Sequence, residues 1–257
     1  MKQSKLLFTI TLFFIAISLS AQVTFGIKAG ASMSTTYGSP EAINGTDIES
    51  IALRPGYQFG LQLGLELNDR VQLLSEFNFD QRNGLKNINI GQSIPTPLGD
   101  VLVNVDADLE NSFSYLNVPV LFAYGNQQLK VYAGPSVAYL LSATSNRTTT
   151  TMVTRPAELP ANTPGLPQDG VTETETDFIN DAPFKGNDPF INRIDIGANL
   201  GFLYQLEDRI AIDFRIYHGI TDATNNDYDV SLIDQTPRSD KDRNVSLQLS
   251  MTYLLWK

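Results

Sequence analysis

Between Tyr57 and Leu67 every second residue is apolar: Tyr57, Phe59, Leu61, Leu63, Leu65 and Leu67, separated by Gln58, Gly60, Gln62, Gly64 and Glu66. A period of two sends neighbouring side chains to opposite faces of an extended chain, and no helix explains six such steps. The same pattern recurs in seven further segments, at 23–33, 71–79, 116–124, 129–141, 194–204, 210–216 and 245–255. None of the eight apolar faces holds a charged residue. Eight strands of this kind, antiparallel and closed, are the expected fold: an all-β chain that buries no helix.

The connections differ in length on the two sides. Asn68-Asp69, Gly125-Asn126-Gln127 and Glu207-Asp208-Arg209 read as tight turns, whereas 34–53, 83–112, 144–190 and 222–242 read as long loops. Short turns on one side and long loops on the other are the pattern of a transmembrane β-barrel, with the turns in the periplasm and the loops outside the cell. The N-terminus agrees. Lys2 and Lys5 precede an apolar run from Leu6 to Leu19 and then Ser20-Ala21-Gln22, the layout of a secretory signal. The run is shorter than the ~20 residues of a membrane-spanning helix. The expected domains are a signal peptide at 1–21 and an outer-membrane barrel at 22–257.

Alternation alone leaves open which face meets lipid, because soluble carriers are also eight-stranded barrels. Volume and charge decide it. An eight-stranded barrel has an interior only just wide enough for its own side chains. The apolar face is built of Phe, Tyr, Leu and Ile, and the other face is rich in Gly, Ser, Asn and Gln. The bulky face therefore points out to lipid. The polar face carries Lys28, Arg82, Lys130, Arg193 and Arg215 against Glu66, Glu76, Asp80, Asp195 and Asp213, five charges of each sign. A sealed interior needs that balance, since an unpaired buried charge is costly. Glu66, Glu76, Asp195, Asp213 and Arg215 are expected at similar depth. Aromatic girdles are expected at both membrane surfaces: Tyr57, Phe59, Phe79, Tyr115 and Tyr139 toward the long loops, and Tyr124, Tyr204, Tyr253 and Trp256 toward the turns.

Two motifs carry a resemblance: Tyr115-Leu116-Asn117-Val118-Pro119-Val120-Leu121 and Val131-Tyr132-Ala133-Gly134-Pro135-Ser136. Ile194-Asp195-Ile196-Gly197 and Tyr217-His218-Gly219-Ile220-Thr221-Asp222 follow in the same style. With these the chain resembles the PorT-like family of small bacterial outer-membrane β-barrels, similar in architecture to OmpA-type barrels. Where that family's pattern has a central carboxylate, this chain has Asn117. The resemblance implies an outer-membrane location and no single activity; one branch of the family is associated with protein secretion.

Composition excludes several function classes. The chain of 257 residues has no cysteine, so no disulfide framework and no thiolate chemistry. A formal charge of −10 argues against nucleic acid, which calls for a basic footprint. The excess sits in the four long connections, whose net charges are −3, −3, −4 and −4. Asp227, Asp229, Asp240 and Asp242 offer carboxylate oxygens of the kind that bind Ca²⁺, but no stretch matches an EF-hand loop. The preferred expectation is solvated loops beside lipopolysaccharide, so no cofactor is expected. His218, the single histidine, has the chemistry of a general base. With no serine in an evident pairing with it, no enzyme is expected. Thr148 to Thr151 and the prolines at 156, 160, 164 and 167 give 144–190 the composition of a mobile tip. The expected role is structural, adhesive or accessory, with a closed polar lumen and no porin-sized conductance. A monomer in outer-membrane lipid is expected; the runner-up is a component of a protein-export system with a periplasmic partner, and the third reading is a lipid A-modifying barrel enzyme.

Overall fold

The computed structural model describes residues 22–43, 45–181, 190–226, 238 and 240–256. The expected signal peptide, Asp227 and Asp229 lie outside the described residues. The strands are β1 (Gln22–Tyr37), β2 (Ala42–Ile43), β3 (Thr46–Asp47), β4 (Glu49–Glu66), β5 (Val71–Thr96), β6 (Gly99–Gly125), β7 (Leu129–Thr154), β8 (Gly170–Asp177), β9 (Ile194–Glu207), β10 (Ile210–Gly219) and β11 (Arg243–Trp256).

Eight of them close a ring. Neighbours run β6-β5-β4-β1-β11-β10-β9-β7, and β7 pairs back with β6. All these pairs are antiparallel, including the first strand with the last, where Gly26 faces Leu254 and Tyr37 faces Arg243. Closure leaves no free edge at membrane depth, and the ladders pause beside Pro119 and Pro135, which have no N–H to donate. Strand β8 lies outside the ring, on the upper half of β7, and β2 with β3 forms a two-residue-deep hairpin.

The strands run well beyond the segments that the apolar alternation marked out. The stretch 83–112 is not a loop. Strands β5 and β6 continue as one long hairpin until Thr96 faces Gly99 across Pro97 and Leu98. Gly99 closes that turn with φ of +118°, a region a Cβ disfavours. Within 144–190, Thr148 to Thr151 belong to β7 and pair with β6 on one side and β8 on the other. The proline-rich part that follows is a chain of tight turns rather than a featureless tip. The Leu159 N–H donates to the Pro156 carbonyl (3.0 Å), Thr163 to Pro160 (3.2 Å) and Leu166 to Thr163 (3.3 Å).

The reason the alternation broke off is that its polarity inverts while its parity does not. On β6 the outward residues of the lower half are Leu116, Val118, Val120, Phe122 and Tyr124, and the inward ones include the buried Asn117. On the upper half the inward residues Val101, Val103 and Ala107 are buried, whereas Asn104, Asp108 and Glu110 point outward. The lower half is an inside-out barrel wall. The upper half is an ordinary water-facing sheet with its apolar side turned in. On β7 a bulge accompanies the change: Ser114 faces Ser142 but Tyr115 faces Leu140, so Leu141 is the extra residue.

Candidate functional site: a plugged lumen with two mouths

The inward face of β5 serves as a ruler for the lumen. From the short-turn end it carries Gln72, Leu74, Glu76, Asn78, Asp80, Arg82, Gly84 and Lys86. Each step of two residues places the next side chain one level deeper.

At the short-turn end is a polar cavity of about 210 Å³ lined by Gln22, Gln62, Glu66, Gln72, Gln127, Gln128, Lys130 and Gln205, among others. Lys130 lies 3.7 Å from Glu66, and its Nζ donates to Gln72 Oε1 at 2.9 Å. An apolar layer of Leu74, Leu121, Ala123, Tyr132, Leu203 and Ala211 closes this mouth from above. The five charges expected at one depth are thus spread over three: Glu66 sits in the mouth, Glu76, Asp213 and Arg215 share the level above it, and Asp195 lies with Arg82 beyond them.

The first ionic level is neutral. Arg215 donates to both oxygens of Glu76, at 2.9 and 2.7 Å, and to Asp213 at 3.1 Å. Lys28 donates to Glu76 at 3.0 Å and also to Asp213. Gln62 and Asn78 add donors to Glu76 at 3.2 and 2.7 Å. The Tyr132 hydroxyl donates to Asp213 and accepts from Arg215 Nε at 3.0 Å. Two cations and two carboxylates, all buried, satisfy one another with bidentate geometry.

The second level lies around Arg82. Its guanidinium donates to Asp195 at 2.7 Å and to Asp80 at 3.4 Å, and sits between two aromatic rings, 4.7 Å from the Tyr115 centroid and 4.1 Å from that of Tyr217. Asp195 also accepts from Tyr217 (2.7 Å), Asn244 (2.9 Å) and Thr221 (3.1 Å). Asn117 donates to Asp80 at 2.8 Å. A carboxylate at position 117 would add a third acid to a level with one arginine, so the amide fits this site. Gly197 and Gly201 make the aromatic packing possible. A Cβ at either would lie about 2.4–2.5 Å from the Tyr217 ring or the Tyr132 hydroxyl.

Tyr115 is therefore a correction. It was expected in a lipid-facing girdle, but its exposure is 0% and its ring is packed under Arg82. It has the inward parity of Asn117, which proximity to the membrane surface cannot override. The other girdle residues, Tyr57, Phe59, Tyr124, Tyr139, Tyr204, Tyr253 and Trp256, are exposed on the outer surface. Tyr57, Phe59 and Phe79 stack there, with Phe59 and Phe79 centroids 5.2 Å apart. Arg193 precedes β9, half-buried, and makes no ion pair among the described residues. The network also uses Tyr132, Tyr217 and Asn244, which charge counting passed over. Their signal was parity: each falls on the inward face of its strand.

Above the second level, a layer of Phe113, Tyr115, Ala138, Leu140, Ala143, Ile179 and Ile191 seals the lumen. Over it opens a vestibule of about 280 Å³. One wall is apolar, with Phe113, Phe178 and Phe190; the other includes Glu49, Lys86, Arg238 and Asp242. Lys86 lies 2.8 Å and Arg238 3.3 Å from the Glu49 carboxylate.

The remaining candidates sit at this rim. His218 is exposed on the outer face of β10, its Nε2 2.9 Å from the Tyr37 hydroxyl. Among the described residues no serine or carboxylate hydrogen-bonds to it. Asp240 accepts from Arg238 (2.8 Å) and from the Ser39 amide (3.1 Å), and Asp242 accepts from Thr224 (2.6 Å). Burial raises the Asp242 pKa above its usual value. Among the described residues no group of three metal-ligating side chains is assembled.

Three solved structures resemble the chain at low identity. Ail, the attachment invasion locus protein of Yersinia pestis, in complex with the heparin analogue sucrose octasulfate, is 10% identical with a TM-score of 0.36, covering 91% of this chain and 99% of its own. Neisserial surface protein A is 11% identical with a TM-score of 0.35, covering 90% and 98%. OprG of Pseudomonas aeruginosa is 11% identical with a TM-score of 0.36, covering 92% and 98%. No curated protein matches the chain. The family model for the outer membrane protein beta-barrel domain matches residues 15–225, most of the chain. A closed ring of eight antiparallel strands, apolar outside and ionic inside, agrees with that match, and the chain belongs to the outer membrane protein beta-barrel domain family and resides in the outer membrane.

Proposed function

We propose that the protein is a closed, non-conducting barrel with a structural, surface-display or accessory role. The observation that carries this reading is the lumen itself: two buried levels of mutually paired charges lie between two apolar layers and fill it. Such a plug rigidifies a narrow barrel and offers nothing for an ion to follow. The outward band is in contact with lipid, and the acidic outer surface lies among lipopolysaccharide headgroups. The barrel acts as a monomer and is not an enzyme; the pairing of His218 with Tyr37 rather than with a nucleophile supports the latter. Within the family, the motifs around Tyr115 and Tyr132 favour the PorT-like branch. Purified protein in planar bilayers is expected to give no stable conductance step. A reproducible porin-sized step would overturn the closed-lumen reading.

A second reading, an accessory of protein export, draws support from the glutamine-lined mouth on the periplasmic side. Gln22, Gln62, Gln72, Gln127, Gln128 and Gln205 offer both donors and acceptors to a peptide backbone. Deleting the gene and restoring it with a Gln72→Leu, Gln128→Leu variant tests this. Wild-type levels of secreted protein with the variant would remove the reading.

A further inference from the structure

We propose that the outer edge of β8 is a docking site for an extended cationic peptide segment, one with lysine or arginine at alternate positions, which joins the sheet as a further strand. The inference deepens the surface-display reading and rests on it only for the side of the membrane that β8 faces.

On the long-loop side β7 exchanges one neighbour for another. Tyr139 still faces Ile194 of β9, but Thr144 to Thr151 face Asp177 to Gly170 of β8. There β8 ends the sheet, and its other edge has no strand beside it among the described residues. The hydrogen-bond phase tells which groups are left over. The Phe178 N–H donates to the Ala143 carbonyl at 2.9 Å. Bonded pairs alternate along an antiparallel ladder, so Thr176, Thr174 and Thr172 bond to β7, while Asp177, Glu175, Glu173 and Val171 turn their N–H and C=O groups away from it. Asp177 agrees with this phase and closes one end of the edge. Its N–H donates to the Asp181 side chain (2.7 Å), and its carbonyl accepts from the Asp181 N–H (3.1 Å). Val171, Glu173 and Glu175 keep theirs open to water. Natural edges are blunted by proline, lysine, a bulge or shortness. Strand β8 has eight residues, no proline, no cation and an unbroken register with β7. Val171, Thr172, Thr174 and Thr176 are β-branched, which suits further pairing.

Charge selects the occupant. Glu173 and Glu175 are exposed and make no hydrogen bond or ion pair among the described residues. Their rows run on across the outward face, from Glu173 through Thr148 to Asp108 and from Glu175 through Asn146 to Glu110. A second copy is a poor fit: two β8 strands paired antiparallel about Thr174 set Glu173 against Glu175 twice, and like charges directly opposite are destabilising. A strand with cations at alternate positions reverses that sign at both places, while its backbone answers the open groups of Val171, Glu173 and Glu175.

The test uses the mature full chain in phosphatidylcholine nanodiscs, with empty nanodiscs as the blank, and fluorescence anisotropy of labelled heptapeptides. Thr-Lys-Val-Lys-Val-Lys-Thr is expected to bind about tenfold more tightly than Thr-Glu-Val-Glu-Val-Glu-Thr, and more tightly than the same residues with the lysines consecutive. Glu173→Lys combined with Glu175→Lys is expected to invert the order of the first two peptides. N-methylation of alternate peptide amides is expected to abolish binding in one phase and spare it in the other, since only every second N–H of an added strand faces β8. Heat-dependent gel mobility verifies that the variant is folded. Binding no greater than the blank, indifferent to the two Glu→Lys changes, or equally affected by N-methylation in both phases would overturn the proposal. So would slow hydrogen exchange of the Glu173 and Glu175 amides in the free protein, which would mean that the chain itself or a second copy already covers the edge. Intact cells displaying the protein are expected to bind the lysine peptide too. Binding to nanodiscs but not to cells would keep the edge site and remove the surface-display reading.

Discussion

The lower and upper halves of β6 obey opposite rules within one strand. Below Tyr115 the outward side chains are bulky and apolar; above it, valines face in and carboxylates face out. The direction of pairing does not change at that point: β6 stays antiparallel to β5 on one side and, past the bulge at Leu141, to β7 on the other. What changes is the solvent. In lipid the favourable exterior is hydrocarbon and the favourable interior is a satisfied ionic network; in water both preferences reverse. The energetic character of a charge pair changes with it. Arg215 and Glu76 have side chains 1% and 0% exposed, whereas Arg54 and Glu110, at a similar 2.7 Å, are 40% and 58% exposed. The first pair holds a lumen together. The second adds little, because solvent screens it.

The largest expected effect tests that contrast directly. Arg215→Met removes the guanidinium that holds Glu76 and Asp213, and is expected to cost about 3–5 kcal/mol in urea unfolding of the barrel. Arg54→Met, on the outer surface, is expected to cost under about 1 kcal/mol. Equal costs would break the distinction between the two regions.

Next comes the outward face. Leu61→Arg places a charge against lipid and is expected to cost roughly 2–4 kcal/mol. Thr148→Arg, outward on the upper sheet between Asp108 and Glu173, is expected to stay within about 0.5 kcal/mol of wild type. A tolerated Leu61→Arg would mean that this face does not meet hydrocarbon.

A smaller effect separates the regions by cooperativity. Val103→Ala opens a void in the inner face of the upper sheet and is expected to cost roughly 1–2 kcal/mol there. It is expected to speed proteolysis near Pro97-Leu98 while leaving heat-dependent gel mobility unchanged. Loss of the gel shift would show that the upper sheet and the barrel unfold as one unit.

The smallest effects are in pH dependence at the outer rim, where two aspartates shift in opposite directions. Burial raises the pKa of Asp242, so its charged form costs stability above the raised value, and that cost is relieved as pH falls toward the ordinary value near 4. Asp177 is held low by the Asn180 side chain and the Ile179 amide, so it contributes stability above the ordinary value and loses it as pH falls through the lowered one. Asp242→Asn is expected to protect rim amides from hydrogen exchange at pH 7 and to make no difference near pH 4. Asp177→Asn is expected to do the reverse at pH 7. Shifts of the same sign in the two variants would refute the burial argument.

Much of this fold was legible in the chain because lipid and a narrow lumen leave few solutions. Each of the eight segments falls on one of the eight ring strands, with Leu67 just past the end of β4, and the three tight turns lie where the ring needs them. The upper sheet escaped notice for a specific reason. Val101, Val103, Val105 and Ala107 alternate with Asn104, Asp106 and Asp108 as regularly as any membrane segment. They resemble a loop because the intervening face carries carboxylates and amides, the composition of a solvated connection. Tyr115, at the boundary, has the residue type of a girdle but the parity of the lumen, and parity prevails. Of the lumen, sequence supplied the balanced charges but not their partners. Arg215 meets Glu76 from across 139 positions, and Arg82 meets Asp195 across 113.

By itself, then, the sequence determined the period of two, the side that bulky residues must take, the export signal to be expected and the charge balance that a closed interior demands. These follow from local chemistry and from the size of an eight-stranded barrel. Only the tertiary structure decided how far each strand continues beyond the membrane, which charges share a level and that Arg82 comes to lie against the Tyr115 and Tyr217 rings. Those depend on register around a closed ring, where a shift of one residue would turn every side chain to the other face.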